Sequence, residues 1–267
     1  MSVDVVLAYA ADPAVRRQGS SGGAYRAILA HLLQRAQIDG AVIAHTGAGR
    51  FRPECFLARK PEDVLRPETT SVYHPTSPVR SILATAPHGR YAATLLPCYA
   101  AWLKLMQEAD RLRQISVKLG LLCNHVPVPA WSEKILDGLH ISERDVASLS
   151  YRGGGWPGRV SVTDTQGVQV TTSSVEAWAR GEPLTRKCAA CRWTVPLGCD
   201  LAAGDPWCLP RDGIGDGKTV LAVLTEQGQE ILDDAQAARA LVVEPVDRGA
   251  WTRLITLLAQ QREARHP

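Results

Sequence analysis

The sequence predicts an α/β protein with a mixed sheet and flanking helices, plus a smaller β-rich part that carries a Cys-x-x-Cys segment. Three observations support this class. Strand-like and helix-like segments alternate over the first 122 residues, a hairpin pattern lies between two glycine-rich breaks, and a strand–helix–strand–helix pattern closes the chain. Such alternation is typical of a sheet that is covered by helices.

The first half of the chain supplies most of the predicted sheet. A valine-rich run at 3–10 predicts a strand. After the glycine-rich break at 19–23, apolar residues at helical spacing predict a helix over 24–36. The remaining predicted elements of this half are strands at 41–45, 53–59 and 90–96, a helix at 100–111 and a strand at 115–122.

The second half begins with a break at Gly153-Gly154-Gly155. Two valine-containing runs, 160–162 and 168–171, flank Gln166-Gly167 and predict a β-hairpin. After the second break, at 213–217, the predicted elements are a strand at 219–224, a helix at 228–240, a strand at 241–246 and an amphipathic helix at 251–261. We expect one unit over residues 1–267; a second interpretation divides it into an N-terminal α/β part, 1–152, and a C-terminal part, 153–267.

The composition narrows the class of function. The 267 residues are 45% hydrophobic, enough for a sizeable core. Lys and Arg number 30 and Asp and Glu 27, so the net charge of +3 gives no reason to expect nucleic acid or an anionic membrane as a partner. No apolar run approaches the ~20 residues that a transmembrane helix needs. The N-terminal segment has no signal-peptide pattern, so we expect a cytoplasmic protein.

The seven cysteines suggest a metal site rather than a disulfide framework, because the cytosol keeps thiols reduced. Cys188 and Cys191 form a Cys-x-x-Cys pair, which serves zinc, iron–sulfur clusters and redox disulfides alike. A redox pair normally follows a strand, whereas 180–187 is turn-like. Zinc would favour a second pair at matched spacing, and the sequence has none.

Two further cysteines follow predicted strands. Cys98 comes after the strand at 90–96 and Cys123 after the strand at 115–122, 25 residues apart, which is about one strand–helix–strand unit. Parallel strands in such a unit open on one edge, where α/β sheets bind ligands. The two sulfurs could join Cys188 and Cys191 in a four-cysteine site, or they could be ordinary core residues.

Two segments could bind a cofactor. Gly19-Ser20-Ser21-Gly22-Gly23 opens a helix, and its small residues would let backbone N–H groups approach a phosphate; the alternative is a plain helix start with Ser20 or Ser21 as N-cap. The loop at 151–158 places Arg152 and Trp156 among glycines, which suits a planar or anionic ligand, or makes a surface turn. No nucleophile–base pattern stands out, so the sequence assigns no catalytic residue.

Taken in order, the motifs resemble the beta-subunit family of coenzyme F420 hydrogenases and dehydrogenases over nearly the whole length. The family has a Ser-Gly-Gly helix start, Ser-Lys-Tyr-x-Pro, Thr-Pro-Cys-Gln, Leu-Gly-Leu-Phe-Cys, an Arg-containing Trp-Pro-Gly loop and a Cys-x-x-Cys followed by Gly-Asp-x-Trp. The similar segments here are Ser21-Gly22-Gly23, Ser71-Val72-Tyr73-His74-Pro75, Leu96-Pro97-Cys98-Tyr99, Leu119-Gly120-Leu121-Leu122-Cys123, Arg152 to Gly158, Cys188 to Cys191, Gly204-Asp205-Pro206-Trp207, and 217–228.

The resemblance implies FAD and one 4Fe-4S cluster as cofactors. It implies that Cys98, Cys123, Cys188 and Cys191 ligate the cluster. Cys199 is the expected substitute ligand, because it lies eight residues after Cys191. It further implies that Ser20, Ser21, Gly22 and Gly23 receive the flavin phosphates, and that Arg152 and Trp156 lie near the cofactor. The sequence departs from the family at Val72, where a lysine is usual, at Leu96, and at Tyr99, where a glutamine is usual.

The implied activity is an oxidoreductase that moves electrons between a small planar hydride carrier, such as coenzyme F420, and an electron-transfer partner protein or subunit. Two alternatives remain open. One is a ferredoxin-driven reductase of another substrate, and the other is a non-catalytic structural subunit that kept the fold. Because one fold serves many substrates, the fold and cofactors transfer better than the substrate does.

Overall fold

The computed structural model describes residues 4–46, 53–74, 76, 88–179 and 184–264. Pro75 of the family-like segment and the start of the turn expected at 180–187 lie outside the described residues. The strands in the described part are, in chain order, β1 (Asp4–Ala10), β2 (Gly40–His45), β3 (Glu54–Ala58), β4 (Tyr91–Leu95), β5 (Ile115–Leu121), β6 (Val146–Ser150), β7 (Arg159–Asp164), β8 (Gln169–Ser173), β9 (Leu201–Gly204), β10 (Thr219–Val223) and β11 (Leu241–Pro245).

A mixed sheet of eight strands forms the centre of the molecule, in the order β11-β1-β10-β9-β5-β4-β2-β3. The four strands β2, β4, β5 and β9 run parallel, and the strands on either side of this block are antiparallel. The parallel pairing of β4 with β5 confirms the neighbouring placement that the 25-residue spacing predicted. The parallel block therefore gathers four strand carboxyl ends along one edge.

Helices cover both faces of this sheet. The helices of the described residues are α1 (Pro13–Gln18), α2 (Ala24–Gln34), α3 (Pro61–Val64), α4 (Pro97–Glu108), α5 (Pro129–Gly138), α6 (Ser174–Ala179), α7 (Arg186–Ala190), α8 (Glu226–Ala237) and α9 (Ala250–Glu263). Ala92 of β4 packs in the same apolar cluster as Ile28 of α2, whereas the next residue, Ala93, packs with Leu103 of α4. Alternate strand residues thus bury opposite faces, as the pleat requires.

A smaller antiparallel sheet, β6-β7-β8, packs against α5 and α6 with its own core around Trp131 and Val162. It corresponds to the β-rich part that the sequence predicts, and the Cys-x-x-Cys segment lies in the connection from this sheet to β9. Both sides of the possible division at 152/153 contribute strands to the large sheet. β1, from the first part, lies between β10 and β11, from the second. None of the helices in the described residues is both long and apolar enough to cross a membrane.

The observed start of one helix changes the position of the candidate ligand Cys98. The helix expected at 100–111 begins at Pro97, since proline fits the first helical position, where no backbone N–H is needed. Cys98 therefore lies in the first turn of α4 rather than in the loop after β4. Its side chain is exposed.

Candidate functional site

A cavity of about 810 Å³ opens at the carboxyl edge of the parallel strands. Ala44 of β2, Thr94 of β4, Leu121 of β5 and Ala203 of β9 all line it, so each of the four strands contributes. Binding pockets of α/β proteins are expected at this edge, and the volume is in the upper part of the usual range for ligand sites. The cavity is therefore the candidate binding site.

The glycine-rich segment forms one wall of the cavity, at the start of α2. Ser20, Ser21 and Gly23 line the cavity. Gly23 is the N-cap, with φ of 68°, and no side chain caps the first N–H groups of the helix. The alternative in which Ser20 or Ser21 caps the helix is therefore wrong. Ser20 Oγ is buried and has no hydrogen-bond partner among the described residues, so the site offers an unused hydroxyl and uncapped N–H groups to a ligand.

Gly22 has a different role from its neighbours. It adopts φ of 92°, and a Cβ there would lie 2.7 Å from the carbonyl oxygen of Gly217 and 2.9 Å from Cβ of Tyr9. The absence of a side chain lets this turn lie directly against the start of β10. Gly22 is not among the residues that line the cavity, so the structure ties it to the packing of the segment rather than to close approach of a ligand.

Arg152 lies at the cavity with only 3% of its surface exposed, and it holds the serine segment in place. It donates to the backbone oxygen of Ser20 at 2.9 Å and to Asp205 and Tyr73, each at 3.0 Å. Burial lowers the pKa of this guanidinium, but the carboxylate of Asp205 outweighs that effect and the pKa lies above its ordinary value. Arg152 Nε has no partner among the described residues.

Trp156 does not line the cavity but lies beside residues that do. Its ring contacts that of Trp207, with centroids 4.7 Å apart, and the guanidinium of Arg211 lies 6.0 Å from its centroid. Trp207 and Arg211 themselves line the cavity. Tyr151, at the start of the same loop, is buried in the smaller core, where its ring stacks on Trp131 at 5.8 Å. Of the two aromatic residues of this loop, Trp156 is thus the one that lies near the cavity.

The structure brings the four predicted cysteine ligands to one region. Cys98 and Cys191 line a pocket of about 330 Å³, while Cys123 lines the large cavity. Burial raises the pKa of the Cys123 thiol to about 12, and the neighbouring sulfurs of Cys98, Cys188 and Cys191 add to the rise. Burial, followed by proximity to Cys191, also raises the pKa of Cys98. The four sulfurs therefore lie close enough to influence one another.

The same thiols are not arranged around a single ion. Among the described residues, no three His, Cys, Asp or Glu side chains are grouped so that they could hold one metal ion. Thiolates that bind the corners of an iron–sulfur cube stand farther apart than the ligands of a mononuclear site do. The donor set, four thiols from three neighbouring segments, fits such a cluster in its chemistry.

Arg262 of α9 joins two of the cysteine segments, and the sequence analysis did not identify it. It donates to the backbone oxygens of Cys123 and Asn124, each at 2.7 Å, and to that of Cys191 at 3.0 Å. It lies eight residues after Leu254 and four after Leu258, on the apolar face of its helix. A basic residue on the apolar face of a helix is the sequence signal by which Arg262 could have been identified.

The other three cysteines have different surroundings. Cys199 is buried in the apolar cluster around Leu95 and Leu103, and burial raises its pKa to about 12. Its thiol faces β5 rather than the other sulfurs, since a Cβ added at Gly120 would lie 3.1 Å from it. Cys208 bonds the backbone oxygen of Ala250 at 3.3 Å. Cys55 lines the large cavity. In this arrangement Cys199 is a core residue, and its expected role as a substitute ligand lacks support.

Solved structures and curated proteins provide a comparison for this geometry. The fold matches a chain of the F420-reducing [NiFe] hydrogenase complex from Methanosarcina barkeri with a TM-score of 0.74 at 19% identity, over 99% of this chain and 90% of that one. This likeness shows the fold alone.

Curated relatives match at somewhat higher identity. The F420-dependent formate dehydrogenase 1 subunit beta of Methanococcus maripaludis is 25% identical over 88% of this chain and 60% of its own length. The F420-dependent formate dehydrogenase subunit beta of Methanocaldococcus jannaschii is 24% identical over 86% and 59%. The coenzyme F420-dependent sulfite reductase of the same organism is 21% identical over 86% of this chain and 37% of its own length. This chain thus spans at most about three fifths of these relatives.

Two family models account for most of the sequence. The N-terminal model of the coenzyme F420 hydrogenase/dehydrogenase beta subunit matches residues 5–84, and the C-terminal model matches residues 88–249. Together they include the carboxyl ends of all four parallel strands that line the cavity. The resemblance read from the motifs is confirmed: the chain belongs to the coenzyme F420 hydrogenase/dehydrogenase beta subunit family.

Proposed function

We propose that this chain is a cytoplasmic oxidoreductase subunit that uses FAD and one 4Fe-4S cluster to move electrons between a hydride carrier, most simply coenzyme F420, and an iron–sulfur partner. The family assignment and the names of the relatives support the oxidoreductase class. One observation carries the proposal: the same cavity is lined by the uncapped start of α2 and by Cys123. A cofactor held at the first would lie beside the thiol region at the second.

FAD would be held by the wall around α2. The uncapped N–H groups, the free hydroxyl of Ser20 and the positive end of the helix dipole suit the phosphates. Arg26 and Arg211 line the same cavity and add positive charge. Arg152 fixes the backbone of Ser20 and would position the segment, since its charge is already paired with Asp205.

The cluster would be held by Cys98, Cys123, Cys188 and Cys191. When both cofactors are bound, FAD would supply hydride and single-electron chemistry and the cluster would supply single-electron transfer. The protein's part is to fix the two sites. Thr185 caps α7 and accepts from the N–H of Cys188 at 3.1 Å, while Arg262 fastens Cys123 and Cys191 by their backbone oxygens.

The hydride carrier would enter the open part of the cavity. The rings of Trp178 and Tyr73 form an edge-to-face pair with centroids 4.7 Å apart on the side of the smaller sheet, and Trp207 contacts Trp156. Such aromatic walls suit a planar ring. The relatives named for coenzyme F420 favour this carrier over others.

Anaerobic purification followed by a visible spectrum, flavin release and iron and sulfide analysis tests the cofactors. We expect about one FAD and four irons per chain, as the proposed pair of cofactors requires. A preparation with neither flavin nor iron after reconstitution would favour the non-catalytic subunit. Flavin without iron would favour a flavin reductase whose cysteines are structural.

A second experiment tests the carrier. Bleaching of the bound flavin is followed anaerobically after addition of reduced F420, NADH, NADPH or reduced ferredoxin. Rapid bleaching by reduced F420 is the expected result. Bleaching by ferredoxin alone would refute the hydride-carrier proposal and favour the ferredoxin-driven reductase.

A further inference from the structure

The surface outside the cysteine pocket is unusually apolar for an exposed region. Trp193 lines the pocket beside Cys98 and is 51% exposed, and Leu197 follows it at 73%. On α4, Trp102 and Leu105 are also exposed. They lie four and seven residues after Cys98, so all three share one face of the helix.

The two parts of this surface are adjacent. Gly198 lies against α4, because a Cβ added there would be 3.8 Å from Cδ of Lys104. Cys98 of α4 and Trp193 of the following loop line the same pocket. Exposed apolar residues that are grouped in this way mark an interaction site more often than scattered ones do. We call this region the cysteine face; it comprises Cys98, Trp102, Leu105, Trp193 and Leu197.

The Cys-x-x-Cys segment beside the cysteine face carries charges of one sign. Arg186, Lys187 and Arg192 are exposed and adjoin Cys188 and Cys191 in sequence. From residue 186 to residue 198 the chain carries no Asp or Glu. None of the three basic side chains forms an ion pair with a described residue. The nearest acid on α4, Glu108, already pairs with Lys104 at 3.9 Å.

We propose that the cysteine face is the docking surface for an acidic, ferredoxin-type electron-transfer protein. The proposal rests on the function proposed above and names the chemistry of the partner. An apolar centre with a basic border, formed by Arg186, Lys187 and Arg192, is complementary to a protein whose redox centre is ringed by carboxylates. Redox partners associate through small, transient interfaces. Because Cys98 is exposed, one of the proposed cluster ligands lies in this surface.

The test measures binding, so it does not depend on turnover. The probe is a recombinant acidic bacterial-type ferredoxin with two 4Fe-4S clusters, titrated against the full chain by calorimetry at low and moderate salt. One variant carries Arg186→Glu, Lys187→Glu and Arg192→Glu together. The matched control carries Arg59→Glu, Lys134→Glu and Arg144→Glu, exposed positions that give the same change in net charge. A third variant is Trp193→Ser.

We expect wild type and control to bind with similar Kd, weakening as salt rises. The cysteine-face triple variant should bind about tenfold more weakly or worse at low salt, and Trp193→Ser should also weaken binding, since exposed tryptophans at interface centres often dominate affinity. Equal Kd for the two triple variants would overturn the proposal. So would absence of binding by wild type, or a dimer in solution that Trp193→Ser dissociates while ferredoxin does not bind.

Iron content, measured on each variant, separates the two levels of inference. A chain that holds iron but shows no dependence on the basic border contradicts the docking surface alone. A chain without iron contradicts the proposed function, and the ferredoxin titration still reports on the surface.

Discussion

Replacing Arg262 gives the sharpest test of how the fold holds the cysteine segments. The side chain is 8% exposed and donates three hydrogen bonds to backbone oxygens of two separate segments. Hydrogen bonds from a charged donor contribute about 1.5–3 kcal/mol each, and water would partly replace them after truncation. We therefore expect Arg262→Ala to lower the free energy of unfolding by about 3–5 kcal/mol.

Two further variants set the scale. Arg262→Lys keeps the charge, but an ammonium cannot span three carbonyls as the guanidinium does, so it should recover only part of the loss. Arg253→Ala is the matched control on the same helix. Arg253 is 49% exposed and its partner, Asp247, is more so, and an exposed pair of this kind contributes about 0–1 kcal/mol.

The assay combines urea denaturation of the purified chain with the rate of iron loss to a chelator. If Arg262 positions Cys123 and Cys191, both readouts should worsen in Arg262→Ala and remain near wild type in Arg253→Ala. Equal unfolding free energies for the two alanine variants would refute the reasoning from the hydrogen bonds. Lower stability with an unchanged rate of iron loss would show that the arginine supports the fold without positioning the ligands.

Three other predictions follow from the same structure. Cys98→Ser should remove most of the bound iron, whereas Cys199→Ser, in the apolar core, should keep it and unfold more easily; iron analysis and thermal melting distinguish them. Gly22→Ala should lower the free energy of unfolding, measured by urea denaturation, by on the order of 2–4 kcal/mol. The control Gly213→Ala should lower it by less than about 1 kcal/mol, because no atom lies within 4 Å of the added Cβ. A hydrogen bond from Lys218 lowers the pKa of Glu244, so the contribution of this carboxylate to stability is present above its ordinary pKa of 4.5 and is lost as the pH falls further. The Tm difference between wild type and Glu244→Gln should therefore shrink below about pH 4. Three results would contradict these expectations: an unchanged iron content in Cys98→Ser, equal denaturation midpoints for the two glycine variants, or a pH-independent Tm difference for Glu244→Gln.

Local patterns predicted the elements whose signal is local. The valine-rich β1, the helical spacing of α2 and the hairpin around Gln166-Gly167 all occur within a few residues of their expected bounds. The strand β9 was missed because Leu201–Gly204 is short and contains no β-branched residue. Its register between β5 and β10 comes from tertiary pairing, which no local pattern encodes.

The candidate site was predicted in its parts more than in its assembly. The spacing predicted that Cys98 and Cys123 follow neighbouring parallel strands, and the pairing of β4 with β5 confirms this prediction. The inter-segment contacts of Arg152 and Arg262 could not be derived, because each depends on backbone oxygens more than 70 residues away. Whether the cysteines bind a cluster stays a prediction for the iron analysis to decide.

The topology explains why the two proposed sites share an edge. The parallel block sends the residues after β4, β5 and β9 to one side of the sheet. The glycine-rich segment reaches the same side because β1 runs antiparallel to β10, which itself runs antiparallel to β9. Backbone and hydroxyl contacts then fasten it there: Ala10 donates to the oxygen of Gly22 at 2.8 Å, and Thr219 donates to that of Ser21 at 2.6 Å. The cavity is thus closed by contacts between the first 25 residues and a strand some 200 residues later, so its shape depends on the whole sheet being formed.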